Sequence, residues 1–342
     1  MTVARPREGF AVQAGKYSLL VVFVLVLIIF SLLKPSSYGT VSNFKSLLAI
    51  NIPGLFVALA ATLPFIVGEF DLSVANVAIL SEVLFVGLIE LQHLNVFLAI
   101  AIALVAAAAV GLINGIAIAV FRFSSFIVTL AMASLVAGIF LAYTGAQTIY
   151  SIAPHSMTAF TRSSLWGIQL PIFYGIFVTI VLALVLGRTP LGRRMYATGS
   201  NQRAALLTGI PTRRYVIWTF VVGALLAGCG GILLGSTLGS AAPDTSGGLL
   251  IPAFAGAFLG ATAFMPGRFN IPGTFVAVYL VAAVLTGLDQ FGAAQWVAPA
   301  FEGAILFVAV ILQTWTTRAR ARAAAASRLK ELNELQSADN QS

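Results

Sequence analysis

Residues 96–120 of the sequence read VFLAIAIALVAAAAVGLINGIAIAV, a run without a single charged side chain. A helix needs about 20 apolar residues to cross the hydrocarbon core of a bilayer, so this run predicts a membrane-spanning helix. Nine further apolar runs lie elsewhere in the chain, and several of them are broken by Gly or Pro. The ten predicted spans are 17–33, 46–67, 72–90, 96–120, 124–144, 170–187, 215–239, 249–264, 272–288 and 299–315.

The composition of the whole chain indicates the same class of protein. Of the 342 residues, 59% are hydrophobic and only 9% are charged, whereas a soluble domain usually carries about a quarter charged residues. Too few polar side chains remain to cover a soluble surface, which excludes a soluble enzyme, a disordered regulator and a secreted disulfide scaffold. We therefore predict an all-α polytopic membrane protein with about ten transmembrane helices. Because each half would hold five spans, any internal repeat would be inverted in the membrane.

The distribution of basic residues predicts the orientation of these spans. With the N-terminus placed in the cytoplasm, sixteen of the 19 Lys and Arg residues fall in inside segments, and three fall outside. An excess of Lys and Arg in cytoplasmic segments is typical of membrane proteins. The net charge of +8 is therefore assigned to topology and to contact with membrane lipid, and no nucleic acid is expected as a partner. The chain divides into a cytoplasmic segment 1–16, a transmembrane domain 17–315, and a cytoplasmic basic helix with a tail, 316–342.

The second and third runs are joined by Gly68-Glu69-Phe70-Asp71-Leu72-Ser73-Val74, which places two carboxylates beside membrane-spanning segments. Asp71 and Ser73 are residue types that cap a helix start, because a side-chain oxygen accepts hydrogen bonds from the free N–H groups there. One interpretation is a capped turn at the inner surface. The other is a substrate gate or an intersubunit turn, which would use Glu69, Asp71 and Ser73.

The only sizeable segment expected on the inside between two spans is 188–211. It contains the pattern of a short helix: Ser200 or Asn201 is a suitable N-cap, residues 202–207 are good helix formers, and Gly209 ends the helix. The small apolar face expected on this helix consists of Ala204, Ala205 and Leu206. A helix this short is not stable alone in water. It needs support either from the protein's own membrane face or from a groove on a cytosolic partner.

Six polar residues at membrane depth are candidates for the lining of a pathway. Ionisable groups there usually face a bundle interior or water. Glu82 lies about halfway along the third predicted span, and Glu302 lies in the outer part of the last one. For both, a pathway and a structural hydrogen bond inside the bundle remain open. Asn51, Asn76, Asn114 and Gln147 are the other candidates.

Several motifs of this chain resemble the permease subunit of bacterial ribose-type sugar ABC importers, a family of binding-protein-dependent transport systems. The turn 68–75 is similar to that family's Gly-Gly-Ile-Asp-Leu-Ser-Val-Gly turn. Asn114-Gly115, then Arg122, then Phe126-Ile127-Val128-Thr129-Leu130 is similar to its next motif. The inner loop contains Thr-x-Leu-Gly-Arg at 189–193, Ala-x-Gly-x-Asn at 197–201 and Thr-Gly-Ile at 208–210. The resemblance covers about residues 17–315.

The resemblance implies a transport subunit that is not itself an enzyme and binds no cofactor. Cytosolic ATPase subunits would bind ATP and Mg, an extracytoplasmic solute-binding protein would deliver a sugar or related polar solute, and a second permease subunit, identical or related, would complete the pathway. The location implied is the bacterial cytoplasmic (inner) membrane. The short inner helix would be the coupling helix, the segment that docks on the ATPase. The residues assigned to it in this way are Asn201, Gln202, Arg203, Ala204, Ala205, Leu206, Leu207, Thr208, Gly209 and Ile210.

Two places depart from the family pattern. Glu69 stands where the family usually has a second Gly, and residues 261–269 replace an expected glycine-rich turn. Each departure points to a divergent subfamily, a different substrate, or pairing with a non-identical permease.

A second function from another class stays open, an ion-coupled secondary transporter that acts without an ATPase. It would use Glu82, Glu302 or Asp71 as ion-coupling groups. Under either reading the chain would not hydrolyse ATP, because it has no phosphate-binding Gly-x-x-x-x-Gly-Lys-Ser/Thr. It also has no Cys/His cluster typical of a metal site. The loop 188–211 favours the importer, because a stand-alone carrier does not need a docking helix.

Overall fold

The structure, a computed structural model, describes residues 10–151, 155–243 and 247–339. The predicted N-terminal segment 1–16 and C-terminal tail therefore lie partly outside the described residues. The α-helices in these ranges are α1 Phe10–Leu33, α2 Val41–Ile50, α3 Ile52–Ile66, α4 Val74–Glu90, α5 Val96–Ala119, α6 Ser125–Thr144, α7 His155–Arg162, α8 Leu170–Arg188, α9 Pro190–Ser200, α10 Gln202–Leu207, α11 Thr212–Leu238, α12 Gly247–Gly260, α13 Ile271–Gln290 and α14 Val297–Asp339.

Two short antiparallel strand pairs accompany the helices. β1 (Ile149–Tyr150) pairs with β4 (Ser240–Ala241), with Ile149 opposite Ala241. β2 (Ser164–Leu165) pairs with β3 (Ile168–Gln169), with Ser164 opposite Gln169. The rest of the regular structure in the described ranges is helical, so the predicted all-α polytopic class is confirmed.

All ten predicted apolar runs form helix, but fewer of them qualify as full spans. Within the described residues, six helices are long and apolar enough to cross a membrane, and a seventh span results when α2 and α3, bent by 44° at their junction, are counted together. Two shorter apolar helices cover Tyr17–Leu33 and Gly248–Gly260. α14 continues as one helix past the predicted boundary at residue 315, to Asp339.

The centre of the molecule is built by α3, α4 and α11, which pack against one another, while α11 also packs on α5. Glycine permits this close approach. A Cβ atom built on Gly231 would lie 1.8 Å from the carbonyl oxygen of Ala78, and one on Gly111 would lie 2.5 Å from that of Phe220. Small residues at helix contacts are a common way to pack helices in lipid. Large apolar side chains of α5, α6, α8 and α14 remain exposed on the outside of this bundle.

Long-range contacts gather the connecting segments at two ends of the bundle. At one end, the α3–α4 turn contacts α9 through Gly68 and Gly199, and the hydroxyl group of Tyr196 on α9 donates to the carbonyl oxygen of Phe269 at 2.9 Å. These segments were all predicted to lie inside. At the other end, Lys45 Nζ donates to Gly167 O at 2.7 Å, which joins two segments that were both predicted to lie outside.

Candidate functional site

The α3–α4 turn holds a chain of buried polar side chains. Asp71 Oδ1 accepts from the backbone N–H of Ser73 at 2.9 Å and from its hydroxyl group at 2.6 Å. The Ser73 hydroxyl in turn accepts from Asn114 Nδ2 of α5 at 3.0 Å. All three residues are buried. The structure thus brings together three of the predicted site residues, because α5 packs directly beside the start of α4.

The expectation that Asp71 or Ser73 caps α4 is wrong in its detail. Ser73 occupies the N-cap position, but its side chain accepts no hydrogen bond from the N–H groups of α4. Its hydroxyl group is instead directed at Asp71, whose carboxylate stabilises the turn itself. The physical reason is that the hydroxyl group is engaged elsewhere: its oxygen, the atom that would cap the helix, accepts from Asn114 Nδ2, while its proton is donated to Asp71.

α6 holds the same turn from the other side. Ser125 Oγ accepts from the backbone N–H of Phe70 at 3.2 Å, and Thr129 Oγ1 accepts from that of Leu72 at 3.0 Å. Asn76, one of the predicted candidates, donates through Nδ2 to the carbonyl oxygen of Ala133 on α6 at 2.6 Å. Ser125 and Thr129 were not predicted as site residues. Their signal was a pair of hydroxyl side chains four residues apart in the first turns of an otherwise apolar helix.

Burial dominates the protonation behaviour of the two carboxyl groups in the turn. It raises the pKa of Glu69 above its usual range, and a hydrogen bond from the Ser125 hydroxyl lowers it by a smaller amount. Burial likewise raises the pKa of Asp71, against two hydrogen bonds from Ser73 that lower it. Both carboxyl groups therefore hold a proton more readily than a carboxyl group in water does.

The turn lies directly against α9, with backbone on backbone. A Cβ atom on Gly199 would lie 2.1 Å from the carbonyl oxygen of Ile66, so only glycine fits there. Gly68 has a φ of +86°, a conformation open to glycine, and its own missing side chain faces Gly199. No side chain separates the two segments. A displacement of α9 therefore reaches the α3–α4 turn without a flexible intermediate.

α10 follows α9 after a single residue and has the bounds that the sequence predicted, Gln202–Leu207. Asn201 is the N-cap, and its Oδ1 accepts from the backbone N–H of Ala204 at 3.0 Å. Gly209, with a φ of +82°, ends the segment. Of the two predicted N-cap candidates, Asn201 is the one that caps this helix.

The apolar face of α10 differs from the predicted one. Ala205 is only 5% exposed and faces the protein, whereas Leu206 and Leu207 are 55% and 88% exposed. The sequence left two kinds of support open for this helix, the protein's own surface and a partner, and different residues of the helix are available for each. Ala205 supplies the contact with the protein's own surface, and the two leucines are left for another surface.

The two acidic candidates at membrane depth lie in different places. Glu82 is fully buried in α4, and neither of its carboxylate oxygens accepts a hydrogen bond within the described residues, although the backbone of Ala242 is close enough to interact electrostatically. Glu302 of α14 instead lines a cavity of about 200 Å³, together with Asn51 at the α2–α3 bend. The structure therefore does not join Glu82 and Glu302 in one site.

The segment 261–269, which departs from the family pattern, is a compact turn held by one side chain. Asn270 Nδ2 donates to the carbonyl oxygens of Gly260, Ala263 and Arg268 at 3.2, 3.0 and 3.0 Å. Its Oδ1 accepts from the N–H of Gly273 at 2.8 Å and so caps α13. Asn270 was not predicted as a site residue, although Asn before Ile-Pro-Gly is a typical N-cap signal.

The same turn is tied to α9 through Tyr196. Burial raises the pKa of Tyr196 to about 12, against the nearby Arg268, which lowers it. The neutral phenol donates to Phe269 O, and the ring of Phe269 stacks on Phe65 of α3 with centroids 4.7 Å apart. α9 therefore contacts both the α3–α4 turn and the segment 261–269. Within the described residues, no group of three His, Cys, Asp or Glu side chains could hold a metal ion.

Comparison with known proteins assigns the class that this arrangement defines. The family described as branched-chain amino acid transport system / permease component matches residues 43–310. The chain belongs to this family of transport-system permeases, and the predicted resemblance to importer permeases is confirmed.

Individual relatives cover nearly the whole chain. The ribose import permease protein of Bacillus subtilis is 32% identical over 306 residues, covering 89% of this chain and 94% of the relative. The L-arabinose ABC transporter permease protein of Azospirillum brasilense is 31% identical and covers 93% of each. The D-allose transport system permease protein of Escherichia coli is 26% identical and covers 89% of this chain and 93% of the relative. No solved structure matches the chain.

Proposed function

We propose that this protein is the membrane-spanning permease subunit of an ABC importer and forms the translocation pathway for a sugar or related polar solute. The observation that carries the substrate class is the set of relatives, whose names refer to ribose, L-arabinose and D-allose and which each cover about nine tenths of the chain. The description of the matching family refers to branched-chain amino acid transport, but the individual relatives favour a sugar.

We propose ten membrane crossings, with both termini in the cytoplasm of a bacterium and the chain in its inner membrane. Two observations support this arrangement. The segments predicted to lie inside, which hold sixteen of the 19 Lys and Arg residues, include the segments around Gly68, Gly199 and Phe269 that meet at one end of the bundle. The α4 helix and Gly248–Gly260 would then cross as buried spans of less than full length, covered by their neighbours, and Tyr17–Leu33 would cross on the outside of the bundle.

ATP would be hydrolysed, with Mg, by separate cytosolic ATPase subunits that dock on α10. The exposed Leu206 and Leu207 supply an apolar contact for such a partner, since a large apolar side chain that is left in water gains free energy when it is covered. Movement of α10 would pass through α9 and the contact of Gly199 with Ile66 to the α3–α4 turn. The hydrogen-bonded side chains of Asp71, Ser73 and Asn114 would then transmit this movement into the bundle and act as the gate.

The remaining partners are an extracytoplasmic solute-binding protein and a second permease subunit. Pathway lining is proposed for Glu302 with Asn51, because both border a cavity beside the α2–α3 bend. Asn76 and Glu82 are less suited to contact a solute, since Asn76 is bound to the backbone of Ala133 and Glu82 is fully buried.

The docking proposal is tested by Leu207→Asp, with Leu191→Asp as a matched control. Leu191 is a partly exposed leucine of α9 in the same inner loop. The variants are expressed with their ATPase, and the measurements are co-purification in mild detergent and ATP-driven uptake in proteoliposomes. Leu207→Asp should weaken ATPase association by about tenfold or more, the size typical of a central interface residue. Equal behaviour of the two variants would refute α10 as the docking segment.

A further inference from the structure

A cleft of about 360 Å³ opens beside α10, and the proposed docking through Leu206 and Leu207 leaves its basic side chains without a role. Three arginines from three different elements line it: Arg122 from the α5–α6 turn, Arg203 from α10 and Arg213 from the first turn of α11. None of the three guanidinium groups makes a hydrogen bond or ion pair with another residue of the described ranges. The cleft thus concentrates positive charge that the surrounding chain leaves largely uncompensated.

The one acidic side chain in the cleft is Glu69, the residue that departs from the family pattern. Its side chain is half-buried and lies next to the Ser125 hydroxyl. One carboxylate against three guanidinium groups leaves the cleft with an excess of two positive charges when Glu69 is ionised. An anion of one or two charges is therefore the chemically complementary ligand.

Exposed apolar side chains lie beside the cleft. Phe121 and Phe123 flank Arg122, are 63% and 60% exposed, and stack with ring centroids 5.9 Å apart. Two exposed phenyl rings gain free energy when lipid acyl chains cover them. Ile118 and Ala119 add an apolar wall to the cleft. A free phosphate ion has no apolar part that could contact such a wall, whereas a phospholipid presents acyl chains beside its phosphate.

We propose that this cleft binds the phosphate group of an anionic phospholipid of the cytoplasmic leaflet, with Arg122, Arg203 and Arg213 as its ligands and Phe121 and Phe123 beside the acyl chains. The proposal rests on the proposed orientation, which places this end of the bundle at the cytoplasmic leaflet. Basic pockets between membrane helices on that side are suited to anionic headgroups. A lipid held by Arg203 would fix α10 against the α5–α6 turn, so the position of the docking helix would depend on lipid composition.

The test is lipid retention by the purified full-length permease, measured by native mass spectrometry after exchange into detergent with equal amounts of phosphatidylglycerol and phosphatidylcholine. We expect preferential retention of one phosphatidylglycerol. The triple variant Arg122→Gln/Arg203→Gln/Arg213→Gln should lose this preference by roughly tenfold or more, because each basic residue near an anionic surface contributes to the attraction. The matched control is Arg188→Gln/Arg194→Gln/Arg214→Gln, three exposed arginines outside the cleft in the same inner segment.

A single variant that should increase lipid retention distinguishes a loss of lipid binding from misfolding. Glu69→Gln removes the one negative charge of the cleft, so retention of phosphatidylglycerol should rise. Equal retention of the two lipids, an equal loss in the control triple variant, or no rise in Glu69→Gln would overturn the proposal. Displacement of the lipid by inorganic phosphate, with the same dependence on the three arginines, would refute a lipid as the ligand and indicate that the cleft binds a soluble anion. No ATPase is present in this experiment, so its outcome is independent of the Leu207→Asp test.

Discussion

Ser73 connects two helices through one hydroxyl group, which accepts from Asn114 and donates to Asp71. Its removal leaves Asn114 Nδ2 buried without its partner and removes one of two hydrogen bonds to Asp71. Ser73→Ala should therefore destabilise the protein by about 1–3 kcal/mol and lower the rate of uptake. The measurements are thermal unfolding in detergent and uptake in proteoliposomes.

Ser134→Ala is the control for this prediction. Ser134 is exposed on α6, and its hydroxyl group bonds only to the carbonyl oxygen of Leu130 in its own helix at 3.3 Å. Its loss should cost less than about 0.5 kcal/mol, as is usual for surface substitutions. If both variants unfold at the same temperature, the buried chain through Ser73 does not stabilise the turn.

Glu82 allows the two classes of transporter to be separated by one substitution. Within the described residues its buried carboxylate is compensated by little more than the electrostatic interaction with the backbone of Ala242, and a neutral amide of similar size costs less to bury. Glu82→Gln should therefore raise the unfolding temperature and retain ATP-dependent uptake. Glu90→Gln, on the same helix, removes a carboxylate that accepts from Ser151 at 2.8 Å and should bring no such gain.

The same pair of variants can contradict the importer. An ion-coupled carrier that uses Glu82 would lose its ion dependence in Glu82→Gln, and its uptake would persist without ATP. That result would favour the ion-coupled secondary transporter, the second function that the sequence left open. Uptake is measured in proteoliposomes with ATP inside or outside, and with the ion gradients collapsed.

At the scale of elements, α10 is defined by its two ends rather than by its length. Asn201 begins it, and Gly209, with a φ of +82°, ends it. A Cβ atom on Gly209 meets nothing within 4 Å, so Gly209→Ala imposes only backbone strain, of about 1–2 kcal/mol. We expect faster hydrogen exchange of the amides of residues 202–208 and weaker ATPase association.

Gly187→Ala is the matched control. Gly187 also has nothing within 4 Å of an added Cβ, but it lies inside α8 and not at a positive φ. Alanine there should be neutral or stabilising by about 0.5–1 kcal/mol, since it favours helix over glycine. Should Gly209→Ala behave like Gly187→Ala, the left-handed residue is not what ends α10.

α9 is the element that connects the inner surface with the bundle. It contacts the α3–α4 turn through Gly199 and the segment 261–269 through Tyr196. The sequence indicated a helix boundary near Asn201 but gave no sign of these two contacts. They depend on residues 73 to 133 positions away in the chain, such as Phe269 and Ile66, and a local pattern does not encode such pairs.

At the scale of the whole molecule, the ten-span topology predicts which side of the membrane each connection faces. In a Cys229→Ala background, which removes the single cysteine, exposed serines can be replaced by cysteine one at a time. A membrane-impermeant maleimide added to intact spheroplasts should label Ser36→Cys and Ser163→Cys. It should label Ser124→Cys and Ser200→Cys only after lysis. Labelling of either inner position in intact spheroplasts would refute the proposed topology.

The membrane class, the positions of the helices and the bounds of α10 were predictable from sequence. Each follows from a local property: uncharged apolar length for residues 96–120, and the residues Asn201 and Gly209 for α10. The buried face of α10 was not predictable. Ala205 and Leu206 have similar apolar character, and only their position against the rest of the fold decides that one is 5% and the other 55% exposed.

By itself the sequence determined that this protein spans a membrane and which permease family its motifs resemble. Its hydropathy, its charge asymmetry and its motifs all act along the chain, where neighbours are fixed by covalent bonds. The tertiary structure alone decided that Asp71, Ser73 and Asn114 form one chain, that Glu82 and Glu302 lie apart, and that Arg122, Arg203 and Arg213 line one cleft. Such sites depend on which helix faces pack together, and that choice is made by close contacts between distant backbones, as at Gly199 and Gly231.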